Sequence, residues 1–137
     1  MKNLSRRQFI GASSSTFAFQ FVPSRVWGAN ERINVAGIGV GGKGAADVAS
    51  TAKAGANIVA LCDVDTVRGA KSIKSFPDAK VYSDFRVMLE KQKDVDAVTI
   101  SAPDHIHAVA AMTAMDLGKH VYCQKPLTHT VWEARQV

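Results

Sequence analysis

Long apolar runs are missing from this sequence. The mildly apolar stretch near the N-terminus is broken by residues 13–16 and by Gln20, so nothing reaches the ~20 apolar residues that a spanning helix needs. Aromatic residues are sparse at 7%. No basic stripe is interleaved with them, which leaves nucleic acid without support as a partner. Acidic residues are absent from the first 30 positions, where Lys2, Arg6, Arg7 and Arg25 account for four of the five net positive charges. The remainder is close to neutral, so the basic isoelectric point says little about partners. There is no internal repeat, and no low-complexity segment beyond the serine-rich stretch near the start. Cysteine occurs twice, at positions 62 and 123.

The N-terminus has its own organisation. A short basic head is followed by the weakly apolar stretch and then by small residues, which is signal-peptide order. Arg6 and Arg7 lie in Ser-Arg-Arg-Gln-Phe-Ile (5–10). This resembles the twin-arginine export motif, with Gly11 where a lysine is usual. Residues 1–29 are therefore read as a twin-arginine signal peptide, cut near Gly28 or Ala29, although Trp27 departs from a small-x-small site. The expectations are export machinery as a partner and a periplasmic or exported protein. A membrane tether is the alternative if the segment stays uncleaved.

From residue 33 short apolar runs alternate with helical stretches. Strands are expected at 33–38, 57–62, 80–82, 96–101 and 119–123. A helix is expected over 105–117, with Ile106, Val109, Ala110, Thr113 and Leu117 on its packed face, Asp104 as N-cap and Gly118 as its left-handed stop. A second helix follows Ser83 as cap. Strands separated by helices imply an α/β fold, a doubly wound parallel sheet of Rossmann type.

The segment Gly-Ile-Gly-Val-Gly-Gly-Lys-Gly (37–44) admits two frames of G-x-G-x-x-G. The frame Gly39, Gly41, Gly44 leaves a six-residue strand ahead of it and is preferred. Gly39 then makes the tight turn, Gly41 and Gly42 let a pyrophosphate approach, and Gly44 lets helix pack on strand. The helix N-terminus offers free N–H groups to phosphate. Asp63 ends the next strand, where a carboxylate accepts both ribose hydroxyls of NAD and repels the 2′-phosphate of NADP. No arginine follows at once, so NAD is favoured over NADP. A methyl-donor-binding or non-binding relative of the same fold is the alternative.

Ligands of such sheets sit at the carboxyl ends of the strands. Ser-Ala-Pro-Asp-His-Ile-His (101–107) ends the fourth strand and Cys-Gln-Lys-Pro (123–126) the fifth. Both face the nicotinamide end. A lysine there hydrogen-bonds a substrate hydroxyl and stabilises charge as an alkoxide develops. Pro126 biases Lys125 toward extended geometry and admits a cis bond.

These segments, with Gly-Lys-His-Val-Tyr-Cys-Gln-Lys-Pro-Leu-Thr-His-Thr (118–130), resemble the glucose–fructose oxidoreductase, inositol dehydrogenase and rhizopine-catabolism (Gfo/Idh/MocA) superfamily. The resemblance spans residues 33–137, taken as an NAD(P)-binding Rossmann domain. It implies an NAD(P)-dependent oxidoreductase acting on a sugar, inositol or related polyol, as a homo-oligomer when full length. It assigns Lys125 as catalytic, and Pro103, Asp104, His107 and Gln124 to the cofactor site. Gln124 replaces the family's glutamate before Lys-Pro, keeping hydrogen bonding but removing a charge. The family's C-terminal substrate domain, with its catalytic histidine, is missing, so the chain is expected to be a fragment supplying the cofactor half. Two other readings stay open: an exported NAD-dependent glycoside hydrolase of the same superfamily, against which Lys125 argues, and a non-catalytic truncated module.

Other residues carry plainer expectations. His105 and His107 point in different directions on one helical turn, so no metal site is expected. His129 is expected to cap a helix, with lining the site as the alternative. With strand order 3-2-1-4-5, Cys62 and Cys123 stand three strand spacings apart, roughly 14 Å, so two free, buried thiols are expected. Met88, Met112 and Met115 are assigned to helix packing.

Overall fold

A computed structural model of the chain describes residues 32–137. The signal-peptide assignment for residues 1–29 lies outside the described residues. Five strands, β1 (Asn34–Ile38), β2 (Asn57–Cys62), β3 (Lys80–Tyr82), β4 (Ala97–Ile100) and β5 (His120–Cys123), alternate with helices α1 (Lys43–Lys53), α2 (Thr66–Ser75), α3 (Phe85–Lys91), α4 (Asp104–Asp116) and α5 (Val131–Gln136). All pairings are parallel and the order is β3-β2-β1-β4-β5. The expected strands are present, β1, β4 and β5 being trimmed by a residue at one or both ends.

Burial follows from the parallel pairing. The central strands are covered on both faces, so β1 and β4 read as continuous apolar runs rather than alternating ones. On one face Ala36, Ile38, Ala60, Val98 and Ile100 pack with Met88, Leu89, Ala110 and Ala114 from α3 and α4. On the other, Leu61 packs with Val40 and with Val48 of α1, against Ile73 and Phe76 around α2. Residues 60, 61 and 62 thus go alternately to the two sides, as the strand period of two requires. The edge strand β5 alternates exposed and half-buried positions.

Three local expectations are corrected. Asp84, not Ser83, caps α3, its carboxylate accepting the Arg86 N–H at 2.9 Å. Pro103 takes the cap position of α4, and Asp104 is its first helical residue. The packed face of α4 is His107, Ala108, Ala110, Ala111 and Ala114, while Val109 and Leu117 are exposed. The helix is apolar nearly all round, so hydropathy does not mark its inner face, and small alanines allow close approach to the sheet. Gly118 does end the helix with a left-handed φ of 71°. Met88 is buried, but Met115 is 40% exposed. No described helix is long and apolar enough to cross a membrane.

Candidate functional site

The carboxyl ends of β1, β2 and β4 open into a cavity of about 700 Å³ lined by Gly39, Gly41, Gly42, Asp63, Ser101 and Pro103 among others. That volume falls within the ~300–1,000 Å³ of small-molecule sites. The glycine turn forms one wall. Gly39 has φ +75°, and a Cβ on it would sit 2.6 Å from the Ala102 nitrogen. A Cβ on Gly44 would overlap the Gly39 carbonyl oxygen. The frame 39/41/44 is thus the one the backbone uses, with 39 for the turn and 44 for close packing. Gly42 stands at the head of α1, where no side chain caps the helix. Uncapped N–H groups at a helix start suit a phosphate.

Asp63 follows β2 and faces this turn. Its Oδ2 accepts the N–H groups of Val40 at 2.9 Å and Gly41 at 3.0 Å, and its Oδ1 accepts that of Asp65 at 3.0 Å. A carboxylate offers about four acceptor sites. Three are taken, so one is free for a ribose hydroxyl. Accepting both hydroxyls, as expected from sequence, requires a loop amide to let go. Asp65 in turn caps α2, accepting Val67 and Arg68 N–H.

The other expected residues divide. Pro103 lines the cavity. Asp104 lies beside it, its Oδ2 3.1 Å from His129 Nδ1. His129 does not cap α5, which Thr130 and Glu133 close with a reciprocal capping box. The His129 interaction holds the Asp104 carboxyl below the usual carboxylate range, and Asp104 raises the imidazole in return. His107, expected to contact the cofactor, is buried at 2% exposure. Its Nδ1 lies 2.6 Å from the Pro126 carbonyl oxygen and its Nε2 2.8 Å from that of Ala102. It ties the β4 and β5 loops together beneath the site rather than reaching the cavity. Lys125 and Gln124 follow β5 and are not among the residues lining this cavity; Gln124 is half-buried, and Lys125 is exposed and joined to Pro126 by a cis bond. Cys62 and Cys123 are free thiols, the first buried, the second only half-buried.

Two site residues escape the sequence reading. Arg68 packs over the glycine turn, its Cβ about 3.0 Å from where a Gly41 side chain would begin, and lines the cavity. Only the start of α2 brings it back to the turn. Asp47 looks like an ordinary helix acid, yet it is 9% exposed and accepts hydrogen bonds from Ser101 and Gln124. Its partners lie 54 and 77 residues further along the chain, so nothing in the local sequence marks it.

A family model described as oxidoreductase family, NAD-binding Rossmann fold, matches residues 32–137. Inositol 2-dehydrogenase 1 of Saccharopolyspora erythraea is 34% identical over 106 residues, 77% of this chain and 32% of the relative. The crystal structure of myo-inositol dehydrogenase from Lactobacillus casei in complex with NAD(H) and myo-inositol superposes with TM-score 0.70 at 30% identity, over 77% of this chain and 32% of that one. The WlbA dehydrogenase of Thermus thermophilus, in complex with NAD and UDP-GlcNAcA, gives TM-score 0.67 at 26% identity, covering 76% of this chain and 36% of that one. The chain thus spans about a third of the length of the relatives it matches. The glycine turn without room for a Cβ and the acid at the end of β2 are what an NAD-binding fold requires, and this chain belongs to the Gfo/Idh/MocA oxidoreductase family through its NAD-binding Rossmann domain.

Proposed function

We propose that this chain is the nucleotide-binding part of an NAD-dependent oxidoreductase that moves a hydride between nicotinamide and a hydroxyl-bearing carbon of an inositol, sugar or related polyol. The observation that carries this reading is the convergence of the glycine turn, Asp63 and Pro103 on one cavity at the carboxyl ends of parallel strands. The similarity to inositol dehydrogenases favours a polyol as substrate.

Bound NAD supplies the ring that takes up or gives hydride. The chain's own residues bind and orient. The glycine turn and the head of α1 receive the diphosphate. Asp63 takes a ribose hydroxyl at its free acceptor site. Lys125, on the loop after β5, donates to the reacting hydroxyl and steadies negative charge as the proton leaves. The base and most of the substrate walls are assigned to the length of the relatives beyond the matched third.

Residues 1–29 are proposed as a twin-arginine signal that engages the export machinery and delivers the protein to the periplasm, where it works as a homo-oligomer in carbohydrate metabolism. The Arg6–Arg7 pair in its Ser-Arg-Arg-Gln-Phe-Ile context supports this. Export after folding fits a protein that loads its cofactor in the cytoplasm.

The test is net NADH formation by the protein isolated from its own cells, with a panel of inositols, sugars and glycosides. At least one polyol should give NADH. Lys125→Ala should lower that rate by about 10²–10³, the loss typical of one transition-state donor. Glycoside cleavage without net NADH would contradict the dehydrogenase reading and favour the hydrolase.

A further inference from the structure

Gln124 stands where the family resemblance places a glutamate, and its surroundings give a physical reason. The side-chain amide is used from both ends. Nε2 donates to Asp47 Oδ2 at 3.0 Å, and Oε1 accepts the backbone N–H of Lys125 at 3.3 Å. A flipped amide would set carbonyl against carboxylate and NH2 against N–H, so these partners fix its orientation. Asp47 takes two further donors. Ser101 Oγ, after β4, reaches the same Oδ2 at 2.7 Å, and Lys43 Nζ, from the start of α1, pairs with Oδ1. One buried carboxylate therefore joins the glycine turn, the β4 loop and the β5 loop. Burial pushes its carboxyl up, but the Lys43, Ser101 and Gln124 donors outweigh this and hold it below the usual range.

We propose that Asp47 is a positioning residue for the Lys125 loop, and that Asp47 and Gln124 are a matched pair: with a carboxylate at 47, the residue before Lys125 must both donate and accept. The functional weight of the pair rests on the role proposed above for Lys125. The pairing itself does not.

The rule explains the departure from glutamate. Glutamate at 124 keeps an acceptor for the Lys125 N–H but loses the donor toward Asp47. Two carboxylates about 3 Å apart cannot both ionise freely, so one retains a proton to higher pH. The charged group acting on the pair is Lys43 from α1, which in turn feels Tyr122 from β5. Lys43 is exposed and already bonded to Asp47, so it does not neutralise a second acid. With Asp47→Asn, a glutamate at 124 again meets a donor, now from the other side.

The test is a four-protein cycle: wild type, Gln124→Glu, Asp47→Asn and the double variant. The unfolding midpoint is followed from mild acid through neutral pH without cofactor, and NADH affinity is followed by fluorescence. Gln124→Glu should lose several degrees of midpoint at neutral pH and regain most of them in mild acid, where the shared proton is taken up. Its NADH affinity should fall roughly tenfold at neutral pH, with the same pH dependence. The double variant should recover both readouts and flatten the profile. A Gln124→Glu profile like that of wild type would overturn the pairing. So would a double variant whose losses equal the sum of the singles. If wild type binds no NADH, the nucleotide-binding reading fails, and the cofactor-free midpoints still decide the pairing.

Discussion

The Asp63 carboxylate accepts the Gly41 N–H at 3.0 Å, so the acid at the end of β2 and the glycine turn after β1 are one hydrogen-bonded unit. Asp63 therefore shapes the turn as well as meeting a ribose. Asp63→Ala should leave the Val40 and Gly41 amides without this acceptor and cost about 1.5–3 kcal/mol, the range for a hydrogen bond to a charged group. It should also weaken NADH binding and narrow its preference over NADPH, because the repelling charge is gone and Arg68 remains beside the turn. Paired NADH and NADPH titrations check this. A variant that binds NADH more weakly but keeps the full preference over NADPH would contradict it.

Gly44→Ala probes the close approach of helix to strand. The added Cβ meets backbone, the Gly39 carbonyl oxygen, not a side chain that could swing away. Overpacking of this kind costs about 1–3 kcal/mol, occasionally more. Chemical denaturation should show at least that loss, with NADH binding abolished. By contrast Gly55→Ala, where nothing lies within 4 Å, is strained only by its φ of +105° and should leave NADH affinity unchanged.

Much of this was legible in the residues, and the exceptions have physical causes. Strand positions follow from apolar runs that alternate with helices, because a parallel sheet buried on both faces leaves that pattern. The glycine frame and Asp63 are legible because spacing and strand ends define them. The α4 face is not, because a helix apolar all round has no stripe to read. Nor is the role of His107: the family resemblance assigns it to the cofactor site, but only the fold shows both ring nitrogens turned to the Ala102 and Pro126 carbonyls. Asp47 and Arg68 depend on contacts across 77 and about 27 residues of chain, and no local pattern announces them.

The Asp104–His129 pair sets a pH window. The interaction with His129 lowers Asp104 from its ordinary 3.8, and that with Asp104 raises His129 from its ordinary 6.5. The contribution from Asp104 is present above 3.8 and lost as pH falls through its lowered folded value. The contribution from His129 is present below 6.5 and lost as pH rises through its raised folded value. The pair thus helps most between these limits. Both groups are exposed, so the effect is small and screened by salt. Midpoints of wild type and Asp104→Asn should differ most at mildly acidic pH and converge on the alkaline side. A difference that grows with rising pH would contradict the assignment.

The two thiols should differ in reactivity. Burial, with Asp84 and Asp63 adding to it, pushes the Cys62 thiol up to about 12. Burial also raises Cys123, which is only half-covered. The thiolate is the reactive form. In native protein at mildly alkaline pH, iodoacetamide followed by peptide mass analysis should label Cys123 first and Cys62 scarcely at all. Cys62 should become labelled on denaturation. Early labelling of Cys62 would mean that its strand end is open to solvent.

The most direct test of the central claim is a titration of this 137-residue chain with NADH, followed by fluorescence, alongside Gly44→Ala. The account predicts saturable binding at one site per chain, competed by NAD and lost in the variant. A folded chain that shows no saturable binding, or a Gly44→Ala protein that binds as wild type does, would contradict it.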